Sequence, residues 1–331
     1  MKKPIIGITM GDPSGVGPEI IAKSLNNEEL YTRSHPIVIG DSKRLKEVIQ
    51  ILNLNLEVES VKENDNFETT TFGKIKCIDL NLLTNNLEFG QINTISGDAA
   101  FKYLSKAIDL ANSKRIDAIC TAPLNKEAMQ KAGHLYPGHT EILADLTNTD
   151  NYTMMLSSPK LKVIHVTTHV GLIEAINRIE PQRVLEVIKM ADVTLKDSGI
   201  ENPKIGVCGI NPHAGENGLF GNGEEEEKID PAIKQAKDLN INVEGPLPAD
   251  TLFFRAQRGD FDIVVAMYHD QGHGPIKVLG LEAGVNITIG LPIIRTSVDH
   301  GTAFDIAGKG IVDERSMNEA LNQAILLAPI R

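Results

Sequence analysis

Three histidines stand just beyond apolar runs that read as strands. His169 follows the run ending in VIHV, His213 follows IGVCGI, and His269 follows IVVAM. They are too far apart in sequence to form a local metal motif. Parallel strands, however, deliver their carboxyl ends to one edge of a sheet, where distant residues meet. Neutral imidazoles suit Zn²⁺ or another divalent ion and leave coordination positions open. The residues alone do not decide the matter, because three loop histidines with satisfied side chains produce the same pattern. His165, inside its apolar run, reads as a core histidine, and His35 and His134 read as turn or surface residues.

A second group is cationic. Lys277, Asn286 and Arg295 flank the runs Ile263–Met267 and Val285–Ile289, and Gly138-His139-Thr140 opens a helix. A guanidinium, an ammonium, a hydroxyl and the free amides of a helix start are what a phosphate group requires. Each of these residues singly is an ordinary surface residue. Tyr268–Gly272 reads as a polar loop at the mouth of its strand, with His273 and Lys277 between that strand and the next.

The elements that would position these groups alternate between strand and helix from the start of the chain. Pro4–Met10 reads as a strand, Gly11–Gly17 as a glycine-rich turn, and Pro18 as the first turn of a helix whose positive end Glu19 complements. The turn GDPSGVGPE lacks the GxGxxG spacing and no Walker lysine follows, so a standard dinucleotide fingerprint is not supported. Further strands are predicted at Pro36–Gly40, Leu56–Val61, Lys74–Leu80 and Ala118–Ala122, with a long helix over Gly97–Ser113 and a polar, loop-like stretch at Asn81–Ser96. After Tyr152 the pattern changes: Tyr152–Leu156 and Leu161–Val166 flank a Ser-Ser-Pro turn and read as an antiparallel hairpin. The four acids Glu224–Glu227 read as the solvated first turn of the helix ending near Leu239. The result is an α/β chain with a mostly parallel sheet and one antiparallel insertion. It divides into a first lobe of residues 1–125 plus 280–331 and an inserted lobe of residues 126–279.

Composition sets the outer limits. The chain has 331 residues, a formal net charge of -11, 41% hydrophobic and 23% charged residues. It can bury a large core, and the absence of a basic block argues against nucleic acid or an anionic membrane as partner. Cys77, Cys120 and Cys208 are scattered in apolar stretches with no CxxC, as expected of buried thiols in a reducing cytoplasm. The first residues are too short and too broken for a signal peptide, and no apolar run reaches membrane-spanning length.

Taken together, MGDPSGVGPEI, PGHTE, TTH, NPHAGE, PLPADT, AMYHDQG and VNITIGLPIIRTSVDHGTA resemble the 4-hydroxythreonine-4-phosphate dehydrogenase family over about residues 5 to 315. The resemblance implies a two-lobed α/β/α fold akin to isocitrate and isopropylmalate dehydrogenases. It further implies NAD or NADP as cofactor, one divalent metal per site (Zn, Mg, Mn or Co), and a small phosphorylated hydroxy acid as substrate. The implied assembly is a homodimer whose active sites, metal ligands included, draw on both subunits, with a dimer-forming segment in the inserted lobe.

Carried over residue by residue, the metal ligands are His169, His213 and His269, and the substrate and phosphate contacts are His139, Thr140, Lys277, Asn286 and Arg295. Asp250 and Lys277 are the candidate catalytic groups. Gly11 and Gly15 with His300, Gly301, Thr302 and Ala303 would border the cofactor, the last four in an NAD loop of the first lobe. One departure stands out: after YHDQG the vitamin B6 enzyme has Leu-Pro and then a lysine, whereas this chain has His273-Gly274-Pro275-Ile276-Lys277. That pattern resembles the branch acting on D-threonate or D-erythronate 4-phosphate, with His273 a hydrogen-bond partner for a 2-hydroxyl where the B6 substrate has a 2-amine. The implied reaction is oxidation of the hydroxyl beta to the carboxylate, then decarboxylation. The alternatives are the B6-pathway enzyme itself, a non-redox module that only binds a phosphorylated metabolite, and a metal hydrolase.

Overall fold

The computed structural model describes residues 2–84, 87–279 and 285–329. Among them the strands, in chain order, are β1 Ile5–Thr9, β2 His35–Gly40, β3 Glu57–Val61, β4 Lys74–Asp79, β5 Ala118–Thr121, β6 Thr153–Ser158, β7 Leu161–His165, β8 Ile205–Cys208, β9 Val243–Leu247, β10 Ile263–Ala266, β11 Val285–Ile289 and β12 Ile294–Ser297. The chain separates into two compact units, Met1–Asp150 with Leu291–Arg331, and Asn151–Gly290.

In the first unit the strand order is β3-β4-β2-β1-β5-β12, and every pair in it is parallel. β1, β2 and β5 are short apolar runs buried on both faces, as helix-covered parallel strands must be. From β1 the chain goes to β2 on one side and later reaches β5 on the other, so a topological switch point lies at their carboxyl ends. The helix Thr94–Asn112 covers the sheet, its Ala100, Leu104, Ala107, Ile108 and Ala111 stripe buried. It starts three residues earlier than its periodicity predicts, because the Asn93 side chain caps it by accepting from the Ile95 N–H at 2.7 Å.

The second unit has the order β11-β6-β7-β10-β8-β9. β7, β10, β8 and β9 run parallel, while β6 is antiparallel to both β7 and β11. The predicted hairpin is therefore present as β6 and β7. Leu156, Val163, Cys208, Leu252, Val264 and Ile276 form a buried cluster beneath the sheet. Each such large side chain contributes roughly 1.5–3 kcal/mol of transfer free energy. The sequence reading divided the chain near 125 and 280. The division found lies at 150/151 and 290/291, because the helix Lys126–Lys131, capped by Asn125, packs on Thr94–Asn112 and keeps residues past 125 with the first unit. Position 280 itself lies outside the described residues. All three cysteines are buried and free. Among the described residues no helix is long and apolar enough to cross a membrane.

Candidate active site

The neighbouring parallel strands β7, β10 and β8 place His169, His269 and His213 just beyond their carboxyl ends. The polar loop expected at Tyr268–Gly272 is instead the start of a helix, His269–Leu279. Gly272, Gly274 and Pro275 concealed its period, since all three are poor residues for a helix interior. The helix sets His269, His273 and Lys277 at successive four-residue steps, on one face. The rings of His269 and His273 stack at 3.7 Å between centroids. His169 lies 5.7 Å from His269, and His165 lies 4.7 Å from His273.

Four imidazoles thus form one row in the second unit. His165, the predicted core histidine, is fully buried, with Nδ1 3.2 Å from the Met154 carbonyl and Nε2 buried without a partner. Burial first, and the neighbouring His273 second, push its imidazole down to about 3, so it is neutral. The close seating has a sequence cost: a Cβ at position 272 would stand 2.3 Å from His165 Nε2, so only glycine fits there.

Two imidazoles on one divalent ion, each nitrogen about 2 Å from it, have ring centroids on the order of 5–6 Å apart. The His169–His269 spacing fits this. His269 Nδ1 faces Asp270 Oδ1 at 2.6 Å, an arrangement that fixes the tautomer and leaves Nε2 for a metal. His213 is exposed and its ring packs on Phe220 at 5.7 Å. Among the described residues no group of three His, Cys, Asp or Glu is placed to hold a metal within one chain.

Two residues that sequence reasoning missed hold these loops in place. Gln271 is buried; its Oε1 accepts from the Met267 N–H at 2.6 Å and its Nε2 donates to the Gly209 carbonyl at 2.8 Å, tying the ends of β10 and β8. Glu225 accepts from the backbone N–H groups of Ile210 and Asn211 at 2.8 and 2.7 Å. The four-acid run is therefore not simply a solvated helix turn: Glu225 is buried and pins the loop that carries His213. In that loop His213, Ala214, Glu216 and Asn217 all have left-handed backbones, a costly run for non-glycine residues that its anchors sustain. Of the other predicted residues here, Lys277 is half-buried and Asp250 is exposed in the first turn of the helix Ala249–Gln257. Asn286 lies on β11 with its Oδ1 buried and unpartnered.

In the first unit, Arg295 on β12 is buried, and its Nε and Nη2 donate to Thr121 Oγ1 at 3.2 and 2.8 Å. Burial pushes its guanidinium down to about 10, so it stays cationic at neutral pH. His139 opens the helix His139–Leu146 with Thr140 beside it. Burial, then the cations Arg295 and Lys126, hold the His139 imidazole well below the usual histidine range. A neutral imidazole, a buried guanidinium and a helix start are the groups an anion would need, with the Glu141 carboxylate also acting on Arg295.

The glycine turn lies at the switch point: Asp12 N–H donates to the Pro123 carbonyl at 2.8 Å, and a Cβ on Gly11 would stand 2.2 Å from that oxygen. His300–Ala303 follows β12 at the same edge. There the space around a Gly301 Cβ is open, Ala303 is left-handed at φ 43°, and His300 Nε2 is buried without a partner. An open cradle beside an unsatisfied nitrogen fits a polar cofactor.

Asp12, also missed, is fully buried; Oδ1 accepts from the Ser14 N–H at 2.8 Å and Oδ2 has no partner. Burial pushes its carboxyl up to about 6 from 3.8. The folded state then holds a proton that the unfolded chain releases, so stability falls as pH rises from about 4 to 6, by at most about 3 kcal/mol. An Asp12→Asn variant is expected to resist urea better than the parent at pH 8 and to lose that advantage by pH 4. The same difference at both pH values would show that Asp12 carries no such cost.

The family model described as pyridoxal phosphate biosynthetic protein PdxA matches residues 32–324. A protein of Oceanobacillus iheyensis, provisionally named D-threonate 4-phosphate dehydrogenase, is 73% identical over 330 residues, covering 100% of this chain and 99% of its own. The D-threonate 4-phosphate dehydrogenase of Cupriavidus necator is 59% identical over 330 residues, covering 99% and 98%. The crystal structure of a 4-hydroxythreonine-4-phosphate dehydrogenase from Burkholderia phymatum matches with TM-score 0.93 and 60% identity, covering 99% of each chain. At the level of fold alone, a beta-decarboxylating dehydrogenase from Thermococcus kodakarensis matches with TM-score 0.51 at 13% identity, over 97% of this chain and 82% of its own. The two-lobed, mostly parallel α/β architecture and these relatives agree: the chain belongs to the PdxA family, whose relatives named here are dehydrogenases.

Proposed function

We propose that this protein is an NAD-dependent, divalent-metal-dependent dehydrogenase. It oxidises and decarboxylates a 4-phosphorylated four-carbon hydroxy acid, D-threonate or D-erythronate 4-phosphate, giving dihydroxyacetone phosphate. The observation that carries the choice of substrate is His273 stacked on His269. It places an imidazole beside a proposed metal ligand, where it can hydrogen-bond a 2-hydroxyl.

The residues divide the work by unit. In the first unit Arg295, His139 and Thr140 bind phosphate as a remote handle that fixes orientation, and His300, Gly301, Thr302 and Ala303 border the dinucleotide. In the second unit His169, His213 and His269 are the metal ligands, contributed by two copies in a homodimer, with a dimer-forming segment in this unit. Lys277 and Asn286 are further substrate contacts. Asp250 accepts the hydroxyl proton, and Lys277 returns a proton to the carbon that carbon dioxide leaves. When bound, the divalent ion supplies Lewis acidity and the nicotinamide supplies the two-electron oxidant. The buried, unpaired thiols suit a reducing cytoplasm.

The direct test is a panel of 4-phosphorylated four-carbon acids with NAD and NADP and several divalent ions, followed at the NADH absorbance. Turnover of D-threonate or D-erythronate 4-phosphate is expected to exceed that of 4-hydroxythreonine 4-phosphate. The reverse preference would assign the vitamin B6 reaction, and tight ligand binding with no NADH at all would assign a non-redox binding role. His273→Leu is expected to shift the ratio of kcat/KM between the 2-hydroxy and 2-amino substrates toward the amine by roughly 10- to 100-fold. An unmoved ratio would remove His273 from substrate selection.

A further inference from the structure

The glycine turn resembles an anion cradle, but the N–H donors at its centre, residues 12 and 14–16, are committed within the chain. Asp12 N–H donates to Pro123, Ser14 N–H to Asp12 Oδ1, Gly15 N–H to the Asp12 carbonyl, and Val16 N–H to the Thr302 carbonyl at 3.0 Å; Pro13 has none to offer. A Cβ on Gly15 would stand 2.8 Å from the Thr302 oxygen, so that glycine is needed to admit the loop that follows β12. Glu19, read from sequence as complementing a helix end, is fully buried. Its two carboxylate oxygens accept from the N–H groups of Gly308 and Gly310, at 2.8 and 2.7 Å. Both glycines have left-handed backbones, φ 77° and 73°, which turns their amides toward one carboxylate. Lys23, one helical turn on, donates to the Val312 carbonyl.

The loop is thus held at residues 302, 308, 310 and 312 by residues 16, 19 and 23, with Gly15 giving it room. We infer that the 11–23 segment is a seat for the 300–312 loop rather than a phosphate cradle. Glu19 is its positioning residue, holding the loop in the form that binds the dinucleotide. This rests on the reading of His300–Ala303 as cofactor contacts. The physical reason is that a buried carboxylate accepting two backbone N–H groups makes strong, charge-assisted bonds whose loss leaves those donors unpaired. A loop populated in its binding form only part of the time binds more weakly by that fraction.

The test uses the full-length protein. In Glu19→Gln an amide NH₂ faces a backbone N–H, so one bond is lost with little change in shape. The variant is expected to weaken NADH binding about tenfold, measured by titration calorimetry, to speed deuterium uptake across 302–312, and to leave inorganic phosphate binding within twofold. Gly308→Ala, strained at its left-handed backbone and crowded by Phe89, disturbs the same loop from its own side and serves where Glu19→Gln does not fold. Loss of NADH affinity in His300→Ala with unchanged affinity in Glu19→Gln would overturn the role of Glu19 alone. Unchanged affinity in His300→Ala, with no slowing of wild-type exchange in 300–312 on adding NADH, would overturn the cofactor reading and this inference with it.

Discussion

A His213→Ala variant is expected to lose turnover by about a thousandfold or more while keeping its fold. Removing one ligand of a catalytic divalent ion removes both affinity for the ion and the charge stabilisation it supplies, and single electrostatic contributors of this kind are worth on the order of 10²–10³ in kcat. The fold should survive because His213 is exposed and the loop around it is pinned by Glu225, through Ile210 and Asn211, not by the imidazole. The measurements are metal content of the purified protein, kcat with added divalent ion, and far-ultraviolet circular dichroism. Near-normal turnover in metal-free buffer would remove His213 from the ligand set. A Glu225→Gln variant gives a useful contrast: it keeps the imidazole but loosens its loop, so a smaller loss that excess metal partly restores is expected.

An Arg295→Ala variant is expected to raise the KM for the phosphorylated acid roughly 100-fold while moving kcat only a few-fold. A remote anchor is held alike in the ground and transition states, so its loss appears mainly in KM. Burial fixes this guanidinium in one place on β12, so it can grip an anion without first being ordered. The variant also removes both donors to Thr121 Oγ1, so a stability loss of roughly 1–3 kcal/mol is expected beside the kinetic effect, and the two are separated by assaying well below the melting temperature. Arg295→Lys should not restore affinity, since one ammonium cannot grip Thr121 and span two phosphate oxygens as a guanidinium does. An unchanged KM in Arg295→Ala would reject the phosphate role.

The alternation of strand and helix, and the antiparallel hairpin, were legible because apolar runs of four to six residues bounded by Pro and Gly leave few alternatives. The three histidines beyond strand ends were legible as candidates for the same reason: each follows a run of that kind. What could not be read was anything that depends on contact at long range. Gln271 looks like one polar residue among several until the Gly209 carbonyl is beside it. Glu225 looks like one acid of four until two amides point at it. Asp12 lies in, and Glu19 just after, a turn whose glycines draw attention to a ligand, although the partners of both are parts of the same chain. The helix His269–Leu279 was hidden by its own requirement for glycine at position 272, where His165 fills the space a side chain would need.

The adjacency of β7, β10 and β8 has a consequence for the chain's tolerance of length change. Neighbouring strands lie about 4.8 Å apart whatever the length of the segments joining them. The separation of the strand ends that precede His169, His269 and His213 is therefore set by the sheet, and a crossover segment that anchors none of them can vary in length. Residues inserted at the turn of Ser198 and Gly199, before β8 begins, would lengthen such a return path without shifting any of the three strand ends.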